Sequence, residues 1–115
     1  MAIPSLMPYA VPTEWAANRV DWTLEPARAA LLIHDMQDYF LDFWGADSPF
    51  VAALVERLAA LCAHCRALGI PVIYTAQPGE QAAADRALLN DLWGPGLTRA
   101  PTRQGIVAGL APQAG

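Results

Sequence analysis

Few residues in this chain are equipped for chemistry, and they fall at particular places. Asp35 directly follows the apolar run Leu31-Leu32-Ile33-His34, and Gln77 follows a second run, Ile70-Pro71-Val72-Ile73-Tyr74-Thr75. A carboxyl held at a strand end beside apolar walls is disfavoured in its charged form, which makes a usable general acid. A carboxyl in that place serves equally well to cap the turn that follows. Arg86 comes nine residues after Gln77. Its guanidinium could clamp a carboxylate through two parallel hydrogen bonds, or remain a solvated arginine paired with Asp85 or Asn90. Trp93 precedes Gly94-Pro95-Gly96 and either walls a ring-shaped ligand or packs in the core.

Other chemistries are excluded. Cys62 and Cys65, with His64 between them, have redox or zinc spacing. Both cysteines fall on the apolar stripe of a helix and near its C-terminal end. A redox thiolate would sit at an N-terminus, and zinc would need a second ligand pair. They are read as small hydrophobes. His34 and His64 are the only histidines, so no histidine-rich metal site is expected. No glycine-rich phosphate loop occurs, and neither metal nor cofactor is expected. All seven basic residues are arginines, which rules out Schiff-base and P-loop lysine chemistry by this chain. A formal net charge of −4 gives no footprint for nucleic acid or acidic lipid. The N-terminal stretch shows no basic-then-apolar leader, and no apolar run is long enough to span a bilayer. A cytoplasmic protein is expected.

These residues need elements to position them. At 55% apolar and 16% charged, the 115 residues suit one small core rather than disorder. Residues 1–27 carry Pro4, Pro8, Pro12 and Pro26 and read as an extended arm packing over a body. Within it, Thr13 with Glu14 could open a short helix to about Arg19. Residues 28–34 form a buried strand; the pattern then breaks over HDMQDYF, and residues 41–48 are a loop with a turn at Gly45. Ser48 as N-cap and Pro49 at the first helical position start a helix. Its apolar stripe runs from Phe50 and Val51 through Leu54, Val55, Leu58, Leu61, Cys62 and Cys65 to Leu68, before Gly69 stops it. Residues 70–75 form the second strand. A helical connection makes the two strands parallel neighbours, so that Asp35 and Gln77 open toward one pocket. Residues 81–93 form a further helix, and Thr102 to Leu110 add a turn or two. The fold class is α/β, a parallel sheet with helices on both faces. Two strands leave a sheet edge and apolar faces bare, so the chain reads as the first part of a larger domain.

The segments RAALLIHDMQDYF, IPVIYTAQP and DRALLNDLWGPGL resemble the isochorismatase family in its siderophore-pathway branch. The opening MAIPSL, the NRVDW stretch and the FWG after the first segment resemble the same branch, so that the likeness runs through essentially the whole chain. The resemblance implies a three-layer domain, with residues 1–27 as its arm and 28–115 as the N-terminal part of the hydrolase. It implies hydrolysis of the enol-ether bond of isochorismate to pyruvate and 2,3-dihydroxy-2,3-dihydrobenzoate, with Asp35 as the acid. Gln77 and Arg86 would hold polar groups of the substrate, Trp93 would pack against its ring and Phe40 would line the pocket. Family members carry a lysine in a KWRYSAF-like segment, and no such segment occurs here. The chain alone is therefore expected to have little activity. It would belong to a homo-oligomer, a complementing C-terminal half or an assembly with siderophore synthetases. The alternatives are a non-catalytic fragment that pairs with a second polypeptide, and a nicotinamidase-like cysteine hydrolase.

Overall fold

A computed structural model describes residues 3–114. Its regular elements are β1 (Leu31–His34), α1 (Asp38–Leu41), α2 (Pro49–Ala67), β2 (Val72–Thr75), α3 (Ala83–Arg86) and α4 (Leu89–Trp93). Single 3₁₀ turns occupy Pro26–Arg28, Asp42–Trp44, Gly96–Arg99, Pro101–Arg103 and Ala108–Leu110. The strands β1 and β2 pair in parallel, with Leu31 opposite Val72 and His34 opposite Thr75. Side chains alternate across a strand. Leu31, Ile33, Val72 and Tyr74 therefore face α2, where Ile33, Cys62 and Leu110 form the buried centre with Val55 and Leu58 around them.

The other face of the pair is uncovered among the described residues. The register partners Leu32 and Ile73 are 53% and 51% exposed there. Burial of these runs on both faces is thus met on one face only, because α2 and the Ala108–Leu110 turn both pack on the same side. The 105–107 segment runs antiparallel to 36–38. Asp38 N–H donates to the Gly105 carbonyl (3.0 Å) and Val107 N–H to that of Met36 (2.9 Å).

The long helix begins and ends where the punctuation places it. Pro49 fills the first turn, where an N–H would lack a partner in any case. Ser48 is the N-cap residue, although its side chain makes no capping hydrogen bond. At the other end Gly69 takes φ +73°. Gly69 N–H then reaches the Arg66 carbonyl, and Ile70 N–H that of Cys65 at 2.8 Å, which is a Schellman closure. The stripe is wider than the buried contact. Cys62 and Cys65 are buried, whereas Leu54, Leu61 and Leu68, seven residues apart, lie on its exposed flank.

Two expected helices differ. No helix forms over 13–19, where the chain is irregular, bent at 13–14 and exposed. The arm packs through its beginning only. Leu6 N–H donates to the Phe43 carbonyl (2.7 Å), and the Tyr9 ring meets Trp44 and Phe50. Trp15, Trp22 and Leu24 stay in solvent. The helix expected over 81–93 is two short pieces, broken where Ala87 adopts φ +46°. Asn90 holds the break by donating to the carbonyls of Ala83 and Ala87, both at 2.9 Å. Residues 38–44 are one α-turn and one 3₁₀ turn, so that the expected 41–48 loop is irregular only from Gly45 onward. Arg103 ties them to the C-terminal segment with two bonds to Asp42 (2.7 and 2.6 Å), and this hydrogen-bonded carboxylate holds the guanidinium above its ordinary value.

Candidate active site

The carboxyl ends of β1 and β2 lead into the loops that carry the candidate residues, as the parallel pairing requires. Beyond β1, α1 presents Tyr39, Phe40 and the nearby Phe43. Tyr39 meets Phe40 and Phe43 edge-on at ring distances of 5.2 and 5.4 Å. Beyond β2, the loop supplies Gln77, and the broken helix supplies Arg86, Leu89 and Trp93. These side chains, with Ile3 and Gly96, enclose a mainly apolar cavity of about 290 Å³. Four expected site residues, Phe40, Gln77, Arg86 and Trp93, therefore line one space.

Arg86 is the group that defines this cavity chemically. It is only 6% exposed. Its Nε donates to the Gly94 carbonyl (2.6 Å) and its Nη1 to Gln81 Oε1 (3.1 Å). Among the described residues, no carboxylate lies within ion-pair distance of it. The solvated pairing with Asp85 or Asn90 is not found, since Asn90 spends its amide on backbone carbonyls. A buried charge without a counter-ion is costly, and a bound anion would offset that cost. Gly96 lies flat against the guanidinium. A Cβ there would sit 2.8 Å from Cζ, so no larger residue fits without moving the arginine.

Asp35 is placed differently from expectation. It does not line the cavity. Its backbone adopts φ +49°, and its neighbours are polar: Thr75 donates to Oδ1 (3.0 Å), and His34 Nε2 lies 3.7 Å from Oδ2. The carboxyl, with 23% of its side chain exposed, thus stands at the strand ends beside a threonine and a histidine instead of between apolar walls.

Gln37 joins the two halves of the site, and its role was not read from the sequence. It is 1% exposed, the most buried polar residue described. Its Oε1 accepts from Gln77 N–H (2.7 Å), and its Nε2 donates to the carbonyls of Gln77 (3.0 Å) and Gln104 (2.6 Å). One amide side chain thus pairs with the backbone of Gln77 as a strand would, and it also fixes the 104–107 segment. Gln104 in turn donates to the carbonyls of Gly79 and Leu97. The only sequence signal was a glutamine two residues after Asp35, in a segment without a single apolar face.

The Isochorismatase domain family model matches residues 29–115. The chain belongs to the isochorismatase family. It is 56% identical over 116 residues to enterobactin synthase component B of Escherichia coli K12, covering 99% of this chain and 41% of that protein. It is 50% identical over 115 residues to the isochorismatase of Bacillus subtilis strain 168, covering 98% of this chain and 37% of the other. The phenazine biosynthesis protein PhzD of Pseudomonas fluorescens is 44% identical over 119 residues, 98% of this chain and 55% of its own length. The chain thus spans about two fifths of the first of these relatives. The parallel pair with α2 packed on it is the part of the isochorismatase α/β fold that these residues build. No described helix is long and apolar enough to cross a membrane.

Proposed function

We infer that this chain carries the acid and one substrate wall of an enzyme that hydrolyses the enol-ether bond of isochorismate. The observation that carries the reading is Arg86, buried without a carboxylate partner in an aromatic-walled cavity. Isochorismate is a small ring acid with two carboxylates. Arg86 would hold one of them by charge-assisted bonds, Trp93 and Phe40 would flank the ring, and Gln77 would bond its polar groups. The protonated Asp35 would then give its proton to the terminal vinyl carbon. The electron pair of the double bond forms the new C–H bond, leaving an oxocarbenium ion and a carboxylate. Water adds to the cation, and the hemiketal breaks its C–O bond to release pyruvate and the dihydroxy acid. No cysteine nucleophile enters: Cys62 and Cys65 are buried on α2, and neither lines the cavity. The higher identity to enterobactin synthase component B (56%) than to PhzD (44%) supports a siderophore precursor as the product.

A second reading concerns what this chain does by itself. The exposed Leu32–Ile73 face favours a chain that acts only when another polypeptide, or more of the same domain, covers that face. Pyruvate release from isochorismate tests both readings. It is followed for the chain alone and for the chain mixed with the separately expressed remainder of the Escherichia coli relative. Release is expected in the mixture. Asp35→Asn is expected to abolish it while ligand binding persists, and equal loss of both, or loss of neither, would refute the acid role. Full activity of the chain alone would refute the second reading.

A further inference from the structure

Three groups at the carboxyl ends of the strands meet around one hydroxyl. Thr75 Oγ1 lies 2.7 Å from His34 Nδ1, 3.0 Å from Asp35 Oδ1 and 3.2 Å from the Asp35 backbone nitrogen. A hydroxyl has one hydrogen and two lone pairs. The Asp35 N–H can only donate, and it is divided between two acceptors, one lone pair of the hydroxyl and the Thr75 carbonyl at 3.1 Å. An ionised carboxylate can only accept, so Oδ1 takes the hydrogen. His34 Nδ1 is left with the second lone pair and must itself carry a hydrogen. A neutral imidazole has a single N–H, so Nε2 is bare, and it is this nitrogen that stands 3.7 Å from Asp35 Oδ2.

The geometry points to Thr75 and His34 as positioning residues that aim one hydrogen bond at Oδ1 of the ionised Asp35. The Thr75 oxygen accepts from His34 and from the Asp35 amide, which turns its hydrogen onto Oδ1. When Asp35 gives up its proton, this bond favours the carboxylate that results. Thr75 bonds the carboxyl directly and His34 bonds Thr75, so both act through Asp35. Among the described residues, His34 is the only charged or titratable group within ion-pair distance of this carboxylate. Its ring is 72% exposed, so it is free to exchange protons with solvent. The inference rests on Asp35 being the acid for its catalytic meaning, but the hydrogen bond itself can be measured without turnover.

The test is nuclear magnetic resonance on the full chain. Long-range proton–nitrogen correlations of neutral His34 are expected to show the hydrogen on Nδ1. A hydrogen on Nε2 would overturn the proposal, because Thr75 would then have to donate to His34 and not to Asp35. Thr75→Val keeps the shape and removes the hydroxyl. The Asp35 carboxyl carbon, assigned by its absence in Asp35→Asn, is expected to titrate about one pH unit higher, the loss of one hydrogen bond to a charged acceptor. Thr75→Ser is expected to restore the wild-type midpoint. An unchanged midpoint in Thr75→Val, or a failure of serine to restore it, would refute the role. Should Thr75→Val not fold, the wild-type tautomer still decides, and Thr75→Ala takes the place of valine in the titration. Absence of pyruvate release with the expected tautomer and titration would count against the reaction and leave the hydrogen-bond arrangement standing.

Discussion

Replacing Gln37 with leucine changes little in volume and removes every hydrogen bond that the side chain makes. Three backbone groups lose a partner: the N–H and carbonyl of Gln77 and the carbonyl of Gln104. Each such bond contributes about 1 kcal/mol net, and a group left buried and unpaired costs more, about 1–3 kcal/mol. The added apolar burial of leucine offsets part of this, about 1 kcal/mol. The expected loss of stability is therefore about 2–4 kcal/mol, a large share of what a domain of this size has. Urea unfolding followed by tryptophan fluorescence measures it, with the slope checked so that a changed unfolded state is not mistaken for lost stability. Gln37→Glu separates the components. Its carboxylate can still accept from Gln77 N–H, but it faces two carbonyls that need donors, so it should be at least as unstable as the leucine variant at neutral pH. A Gln37→Leu chain within about 0.5 kcal/mol of wild type, the usual size of a surface change, would refute the bracing role.

Two further changes separate ligand recognition from stability. Arg86→Met removes a buried charge that has no carboxylate partner, so stability should stay within about 1 kcal/mol, because the lost bonds to Gly94 and Gln81 are offset by relief of desolvation. Binding of a ring carboxylate, read by quenching of Trp93, should weaken about 100-fold, as loss of a charge-assisted pair implies; equal binding would remove Arg86 from the site. Ala87→Gly should raise stability by about 1 kcal/mol in thermal unfolding, since φ +46° with ψ −129° is strained for alanine and open to glycine. A destabilised glycine variant would show that the alanine methyl packs in a way that outweighs the strain.

The parts of the fold that were legible are those where local chemistry and packing agree. Ser48-Pro49, the apolar spacing and Gly69 all describe the same helix, and α2 runs from Pro49 to Ala67. The two apolar runs flanking it are parallel neighbours because a 19-residue helix connects them. Legibility failed where a tertiary contact outweighs local preference. Ala82 to Leu92 is mostly alanine and leucine, and its weaker helix formers, Asp85, Asn90 and Asp91, do not fall at Ala87, so nothing announces a break there. The break accompanies bonds from Arg86 to Gly94 and from Asn90 to two carbonyls, partners that come from the folded loop and not from helix periodicity. Phe40, Gln77, Arg86 and Trp93 were identifiable as candidates, yet the amide of Gln37 that ties Gln77 to the β1 end carries no pattern of its own.

Strain follows the same line. Among the described residues, three non-glycines have positive φ: Asp35, Asp47 and Ala87. Two of them bear on the site, for Asp35 is the candidate acid and Ala87 follows the candidate carboxylate clamp. A backbone held there costs on the order of 1–3 kcal/mol and persists only where the surroundings over-determine it. At Asp35 the surroundings are visible: its N–H reaches Thr75 in two ways, its carbonyl accepts from Gln37 N–H at 2.8 Å, and its carboxyl accepts from Thr75. At Ala87 they are the two Asn90 bonds and the capping bond from Ala87 N–H to the Ala83 carbonyl. The fold thus spends stability at the two positions that aim a carboxyl and a guanidinium. A requirement of shape alone would be met more cheaply by glycine at Ala87. At Asp35 glycine would relieve the backbone but remove the carboxyl, so only there is the strain tied to a group the proposed chemistry needs.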